Sequence, residues 1–322
     1  MATSNAGSIA ITRYARENLK TLMLMTKPTL RKFILTSSLL FTSLLLLSFY
    51  NKRNPSDAKP LFISIQEAIK KNSLGVSIKG LGGHSGYCVE MDIQNQTSDS
   101  LKVQLEAGRR FAAEDTSLQD LLVVKDEMIA LSAGEKRKVK GYAFCCESTN
   151  GGPHAGSIYG IGRMTPTPWV KLAQFINKNN FPIDAVQNAV WVLSNGHPVA
   201  SITAADLKLV QALRKKVAEL SGSTDPWYSL TFENDTAMLF SGRAEKLEGE
   251  IDYMAHNSAI ITVNVRNKNG QVVKTLLDKK SVGPGQYTTS ILIDVKGWPK
   301  GEYTLYVYNG DSVIDSKKKF VL

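Results

Sequence analysis

The chain has 322 residues, 43% of them apolar and 21% charged, with a formal charge of +10. That length admits two ordinary domains, each with its own core, and the near-average composition excludes wholesale disorder. Nine basic residues in 1–60 (Arg13, Arg16, Lys20, Lys27, Arg31, Lys32, Lys52, Arg53, Lys59) face only Glu17 and Asp57, so +7 of the charge lies there and +3 is left for 61–322. Without an RNP-type aromatic pattern or a helix-turn-helix signature, that remainder gives no support to a nucleic-acid partner.

Residues 1–32 read as a basic cytoplasmic segment, in which Met25 opens a compact targeting stretch, MTKPTLRKF, and 1–24 are expected to be unstructured. Residues 33–50 (FILTSSLLFTSLLLLSFY) form an uncharged run of eighteen. A membrane span needs ~20 apolar residues and a signal-peptide core about 7–15, so both a signal peptide and a retained anchor fit. Lys27, Arg31 and Lys32 precede the run, which places 51–322 outside the cytoplasm by the positive-inside rule. Residues 51–60 (NKRNPSDAKP) suit a linker leaving the membrane.

Residues 61–221 are expected to be a mixed α+β domain, with β-sandwich-like strands followed by helices. After a short amphipathic stretch at 63–72 and the glycine-rich GLGGHSG (80–86), period-two segments fall at 87–95, 101–105, 121–124, 128–131 and 137–144. Ala133–Glu135 reads as a hairpin turn and 156–162 as a loop. Helical periodicity follows over 169–177, 183–193 and 206–220, with Asp206 in the first turn of the last helix, where the dipole favours an acid. Ser221–Pro226 (SGSTDP) reads as the boundary, and 226–322 as an all-β sandwich. Its alternating segments are 251–253, 259–266, 272–278, 286–295, 303–308 and 318–322, and Asn269-Gly270 is a two-residue hairpin signal.

The segments NGQVVKTLL, GPGQYTTSILIDVKGWPKGEYTLYVYNG and KKKFVL resemble the Ig-like C-terminal domains of bacterial surface proteins. They are similar to the sorting domain of the type IX secretion system of Bacteroidetes and to the Ig-like half of flagellar hook-capping proteins. Gly270, Pro299–Tyr303 and the basic, apolar chain end carry the match over about 228–322. A sorting role implies passage across an outer membrane, which fits a cleaved signal and not a retained anchor.

The cysteines are Cys88, Cys145 and Cys146. A vicinal pair rarely bridges itself, so Cys88 with Cys145 or Cys146 is the expected disulfide, leaving one thiol over. FCCE (144–147) and VQNAVW (186–191) together resemble the thioester domains of bacterial surface adhesins. In that family a cysteine sulfur displaces ammonia from a glutamine carboxamide, and the stored thioester is attacked by a host amine. The resemblance implies Gln187 as acyl donor, Cys145 as the first-choice thiol, and Ala189 and Trp191 as pocket wall. Cys146, and Cys88 in GYCVEM, fit the same cysteine pattern. The plainer alternative is that Ala185, Val186, Ala189, Val190 and Trp191 form one face of a packed helix, with Gln187 exposed.

His84, His154, His197 and His256 show no metal-ligand spacing, and each reads as a loop residue. No metal and no cofactor are expected. Trp169, Trp227 and Trp298 are candidates for a carbohydrate-stacking face, with buried packing the commoner role. The expected function is an exported cell-surface or envelope binding or adhesion protein, with an internal Cys-Gln thioester for covalent attachment. Its partner would be an extracellular ligand or surface, such as a protein amine or glycan, besides the membrane through 33–50 if uncleaved. The alternatives are an extracellular hydrolase or carbohydrate-active protein, and a purely structural envelope module.

Overall fold

The computed structural model describes residues 62–235 and 239–322; the segments expected at 1–32, 33–50 and 51–60 lie outside the described residues. Phe62–Leu322 form one compact unit, rich in strand and poor in helix, with several sheets. Among the described residues no helix is long and apolar enough to cross a membrane.

A two-residue strand β1 (Ile63–Ser64) and a short helix α1 (Ile65–Lys70) lead into β2 (Leu74–Leu81), β3 (Ser85–Asn95), β4 (Leu101–Leu105), β5 (Arg109–Ala113), β6 (Leu121–Val123), β7 (Glu127–Leu131), β8 (Lys136–Cys145) and β9 (Ala155–Met164). The strands expected as a sandwich-like layer instead close into a barrel, β2-β3-β8-β6-β5-β9, while β1, β4 and β7 form a separate small sheet. Closure depends on β9, which pairs with both β2 and β5 and so removes the free edges. Its glycines made it read as a loop. They mark close strand approach instead: a Cβ on Gly162 would lie 2.9 Å from the Arg110 carbonyl oxygen. Ala133–Glu135 is a turn, with Glu135 N donating to Ser132 O, but not a hairpin, because β7 pairs with β4 and β8 with β3 and β6.

Strand β6 and the C-terminal end of β8 are buried on both faces. Leu121, Val123, Ala143 and Cys145 point into the barrel, while Leu122, Val124, Phe144 and Cys146 point into a helical layer. This double burial explains their unbroken apolar runs, LLVV and AFCC. The layer is made of α2 (Thr167–Asn177), α3 (Ile183–Asn195) and α4 (Gln211–Ser221). Gly196 and Gly222 end α3 and α4 in the left-handed conformation, with φ of 69° and 68°. The helix expected from Asp206 starts later: Asp206 accepts from Lys208 N and caps a 3₁₀ turn, Leu207–Leu209, before α4 begins.

The remaining strands are β10 (Tyr228–Phe232), β11 (Ala244–Ala255), β12 (Ala259–Asn267), β13 (Val272–Val282), β14 (Gly285–Asp294), β15 (Glu302–Asn309) and β16 (Ser312–Val321). They form two sheets, β10-β11-β14 and β13-β12-β15-β16. Alternate residues such as Leu247, Ile251, Ile261, Val263, Leu305 and Val307 fill one shared core. The chain does turn between β12 and β13 here, but through a three-residue loop, Lys268–Gly270, closed by Asn267 N donating to Gln271 O, and not the expected two-residue Asn269-Gly270 turn; Gly270 alone, with φ of 80°, takes the left-handed conformation.

Two contacts tie the helical layer to these sheets. Ala200, in the 3₁₀ turn Val199–Ser201, packs into the core of the two sheets. Arg214 of α4 is 5% exposed and donates to Asp225 Oδ1 (2.8 Å), Pro226 O (2.7 Å) and Tyr228 O (2.9 Å). The stretch 221–226, with the composition of a linker, is therefore held by a buried guanidinium.

Candidate functional site

All three cysteines are buried free thiols, which replaces the expected disulfide from Cys88. Strand alternation keeps Cys145 and Cys146 apart: the first faces the barrel with Cys88, the second the helices. Cys88 Sγ donates to Ala143 O at 3.4 Å, and Cys146 Sγ to Asp120 O at 3.1 Å. Loss of hydration pushes the Cys88 thiol up to about 11 and the Cys146 thiol up to about 12. Cys145 is raised for the same reason first, then by the neighbouring Cys88, Cys146 and Glu147. These thiols stay protonated near neutral pH.

Gln187 is 2% exposed, which overturns the reading that leaves it in solvent. Its Nε2 donates to Cys145 O at 2.7 Å, and its Oε1 accepts from Cys145 N at 3.2 Å. Cys145 N also donates to His84 O at 3.1 Å, just before β3 begins. The carboxamide thus acts as one extra peptide unit beside the last residue of β8, where its pairing with β3 runs out at His84. Gln187 therefore meets the Cys145 backbone, whereas the motif pairing expects the Cys145 sulfur at the carboxamide. Among the described residues none of the three sulfurs hydrogen-bonds to the carboxamide. Ala189 is buried in the helical core, and Trp191 packs against the barrel core, stacked on His84 at 6.2 Å and 10°.

Trp191 and Gln187 also line a cleft of about 590 Å³ between α3, the Val199–Ser201 turn, β10 and residues 233–235 and 239–241. Three polar atoms on its lining residues are buried without a hydrogen-bond partner: Trp191 Nε1, Ser201 Oγ and Thr231 Oγ1. The lining carries Asp184, Glu233 and Asp235 but no lysine or arginine. Arg243 neutralises part of this charge, bonding Glu233 at 2.7 Å and Asp235 at 3.1 Å. Ser201 and Thr231 carry no motif, and sequence reasoning missed them. Their role depends on which residues the fold buries without partners.

His197, expected as a loop residue, is also part of this neighbourhood. Its ring lies 3.7 Å from that of Phe240 and 5.6 Å from that of Trp191, and Nε2 is 2.9 Å from Ser148 Oγ. Burial pushes its pKa down to about 4, so the ring is neutral at pH 7. Nδ1 is buried with no partner, so the Ser148–His197 pair lacks the orienting carboxylate of a triad. The candidate stacking residues Trp169, Trp227 and Trp298 do not line the cleft. Among the described residues no group of three or more His, Cys, Asp or Glu is placed to hold a metal ion.

No protein-family model matches the chain, and no curated protein matches it. Among solved structures it aligns with a β-glucosidase from Kluyveromyces marxianus at 10% identity, covering 73% of this chain and 44% of that one, with a TM-score of 0.19. It also aligns with the CBM51-2 and INT domains of ZmpB from Clostridium perfringens in complex with GlcNAc, at 9% identity over 78% of this chain and 79% of that one, with a TM-score of 0.16. The chain spans 44% of the glucosidase's length. Similarities at this level assign neither a fold family nor a ligand.

Proposed function

We propose that the chain is an exported cell-surface or envelope protein that binds a polar extracellular ligand in the cleft between α3 and β10. The reading of 61–221 as an α+β domain and 226–322 as an Ig-like sandwich resembling type IX sorting domains belongs to the same proposal. Export rests on the 33–50 run and the basic residues before it. Binding rests on one observation: Trp191 Nε1, Ser201 Oγ and Thr231 Oγ1 are buried, unpartnered and on one cleft. Each such group costs about 1–3 kcal/mol when left unpaired, and a ligand seated in the cleft that reaches behind its lining to these atoms would recover that cost. The Ser148–His197 pair without a carboxylate on Nδ1 favours binding over hydrolysis.

The test uses an array of glycans and amine-bearing peptides probed with the full-length protein. Ser201→Ala and Trp191→Phe remove the hydrogen-bonding groups and keep the packing, so they should lower array binding while leaving stability equal or higher. A loss of stability with unchanged binding refutes the cleft reading. A C-terminal reporter active only in the cytoplasm refutes export.

A second reading has its own observation, the buried Gln187 carboxamide seated on the Cys145 peptide. In it, Cys145 Sγ adds to the Gln187 Cδ, the C–N bond breaks, and the nitrogen leaves as ammonia with the thiol proton. The site is shielded from water, as a stored acyl electrophile requires. The native protein would then weigh ~17 Da less than its sequence, and methylamine would add across the bond. Full mass with three titratable thiols in the denatured protein refutes the thioester and leaves the cleft reading standing.

A further inference from the structure

The outer face of the sheet β13-β12-β15-β16 carries a second arrangement, independent of the cleft. Tyr306 and Tyr308 project from β15, their rings 5.9 Å apart at 29°. On the β12 side the Arg266 guanidinium carbon lies 5.7 Å from the Tyr306 ring and 5.6 Å from the Tyr308 ring. On the β16 side, Lys317, registered opposite Tyr306, places Nζ 5.8 Å from that ring. Two stacked tyrosines thus run along one strand with a cation on each flank.

Two features set this face apart from an ordinary solvated one. Arg266 and Lys317 form no ion pair among the described residues, whereas neighbouring Lys319 is held by Glu302 at 2.8 Å. Beneath them Asn264, opposite Tyr306, is only 8% exposed, yet its Oδ1 has no hydrogen-bond partner. Arg266 Nε is likewise buried without a partner, while its Nη1 donates to Gly270 O at 3.2 Å. A donor and an acceptor are therefore held unsatisfied beside two unneutralised cations. Such groups cost stability unless a ligand completes them.

We propose that this face binds a linear acidic polysaccharide of the polyuronate class, laid along β15. The C–H faces of its sugar rings stack on Tyr306 and Tyr308. Its carboxylates, on alternate sides of an extended chain, meet Arg266 on one flank and Lys317 on the other. Arg266 rather than lysine suits the inner position, since a guanidinium stacks on aromatic rings and still presents a fork to a carboxylate. A bare phospholipid surface offers the charge but no ring faces for the tyrosines.

The experiment is affinity electrophoresis of the full-length protein, kept in neutral detergent because of its 33–50 run, through gels containing polygalacturonate or neutral dextran. Polygalacturonate should retard the wild type and dextran should not. Arg266→Gln and Lys317→Gln should each weaken the apparent affinity about tenfold, the size of one charge-assisted contact. Tyr306→Ala with Tyr308→Ala should abolish it. Lys317 is exposed, so loss of retardation in Lys317→Gln at an unchanged unfolding midpoint supports binding and not a folding defect. Ser201→Ala, in the cleft, should leave retardation unchanged. Equal retardation of wild type and Lys317→Gln overturns the proposal, as does equally strong binding to anionic phospholipid vesicles.

Discussion

Arg214→Ala removes the guanidinium that holds the entry to β10. In the wild type this side chain, 6% exposed, is paired with Asp225 and satisfies the carbonyls of Pro226 and Tyr228. Its removal leaves the Asp225 carboxylate, itself only 26% exposed, without a counter-charge and takes a donor from the Ile202, Pro226 and Tyr228 carbonyls. Hydrogen bonds to a charged group contribute about 1.5–3 kcal/mol each but are not additive within one network. Breaking a buried pair from one side costs about 3–5 kcal/mol, so a loss of roughly 3–4 kcal/mol is expected here. Equilibrium urea unfolding of the full-length protein should show the midpoint falling by about 1 M or more. Arg214→Lys should lie between, because an ammonium keeps the charge and loses the fork. Arg243→Ala is the control, since Arg243 is 51% exposed in its pairs with Glu233 and Asp235 and should cost no more than about 1 kcal/mol. If Arg214→Ala falls within 1 kcal/mol of Arg243→Ala, the buried tie is not holding these elements together.

His197 is held neutral, with its pKa near 4 against 6.5 when unfolded, so the unfolded chain binds more protons between those values. Stability should therefore be complete above about pH 6.5, fall as the pH drops toward 4, and lose this slope in His197→Asn; parallel pH profiles of the thermal midpoint for both proteins would refute it. Gly141→Ala puts a Cβ 2.8 Å from Val89 Cγ2 and 2.9 Å from Phe111 Cε2. It should destabilise by about 1–3 kcal/mol, partly rescued by Val89→Ala, and a lack of rescue in urea unfolding would point to a different clash. Gln187→Met keeps the volume but leaves Cys145 O unpaired, for a loss of about 1–3 kcal/mol in the same assay. Ellman's reagent at pH 8 should modify none of the thiols rapidly until the protein unfolds, since burial keeps all three protonated.

Periodicity alone determined the strand-rich chain, the amphipathic faces of α2 and α3, and the strands after residue 250, because alternating and 3.6-period patterns report which faces are buried. The place of the turn at Asn269-Gly270 was equally legible, but its length was not, because Lys268 joins the loop and only Gly270 takes the left-handed conformation. The motif pairing of FCCE with VQNAVW pointed to the Cys145 sulfur, whereas the contact that forms is between Gln187 and the Cys145 backbone. Tertiary structure decided what local pattern does not encode. Closure of the barrel required β9, whose glycines look like a loop until Arg110 is seen beside Gly162. The start of α4 was decided by Asp206 capping a separate turn. Tertiary placement also left Ser201, Thr231 and Asn264 buried and unpartnered. Whether a hydroxyl or amide is satisfied depends on atoms brought from distant parts of the chain, so no window of sequence reveals it.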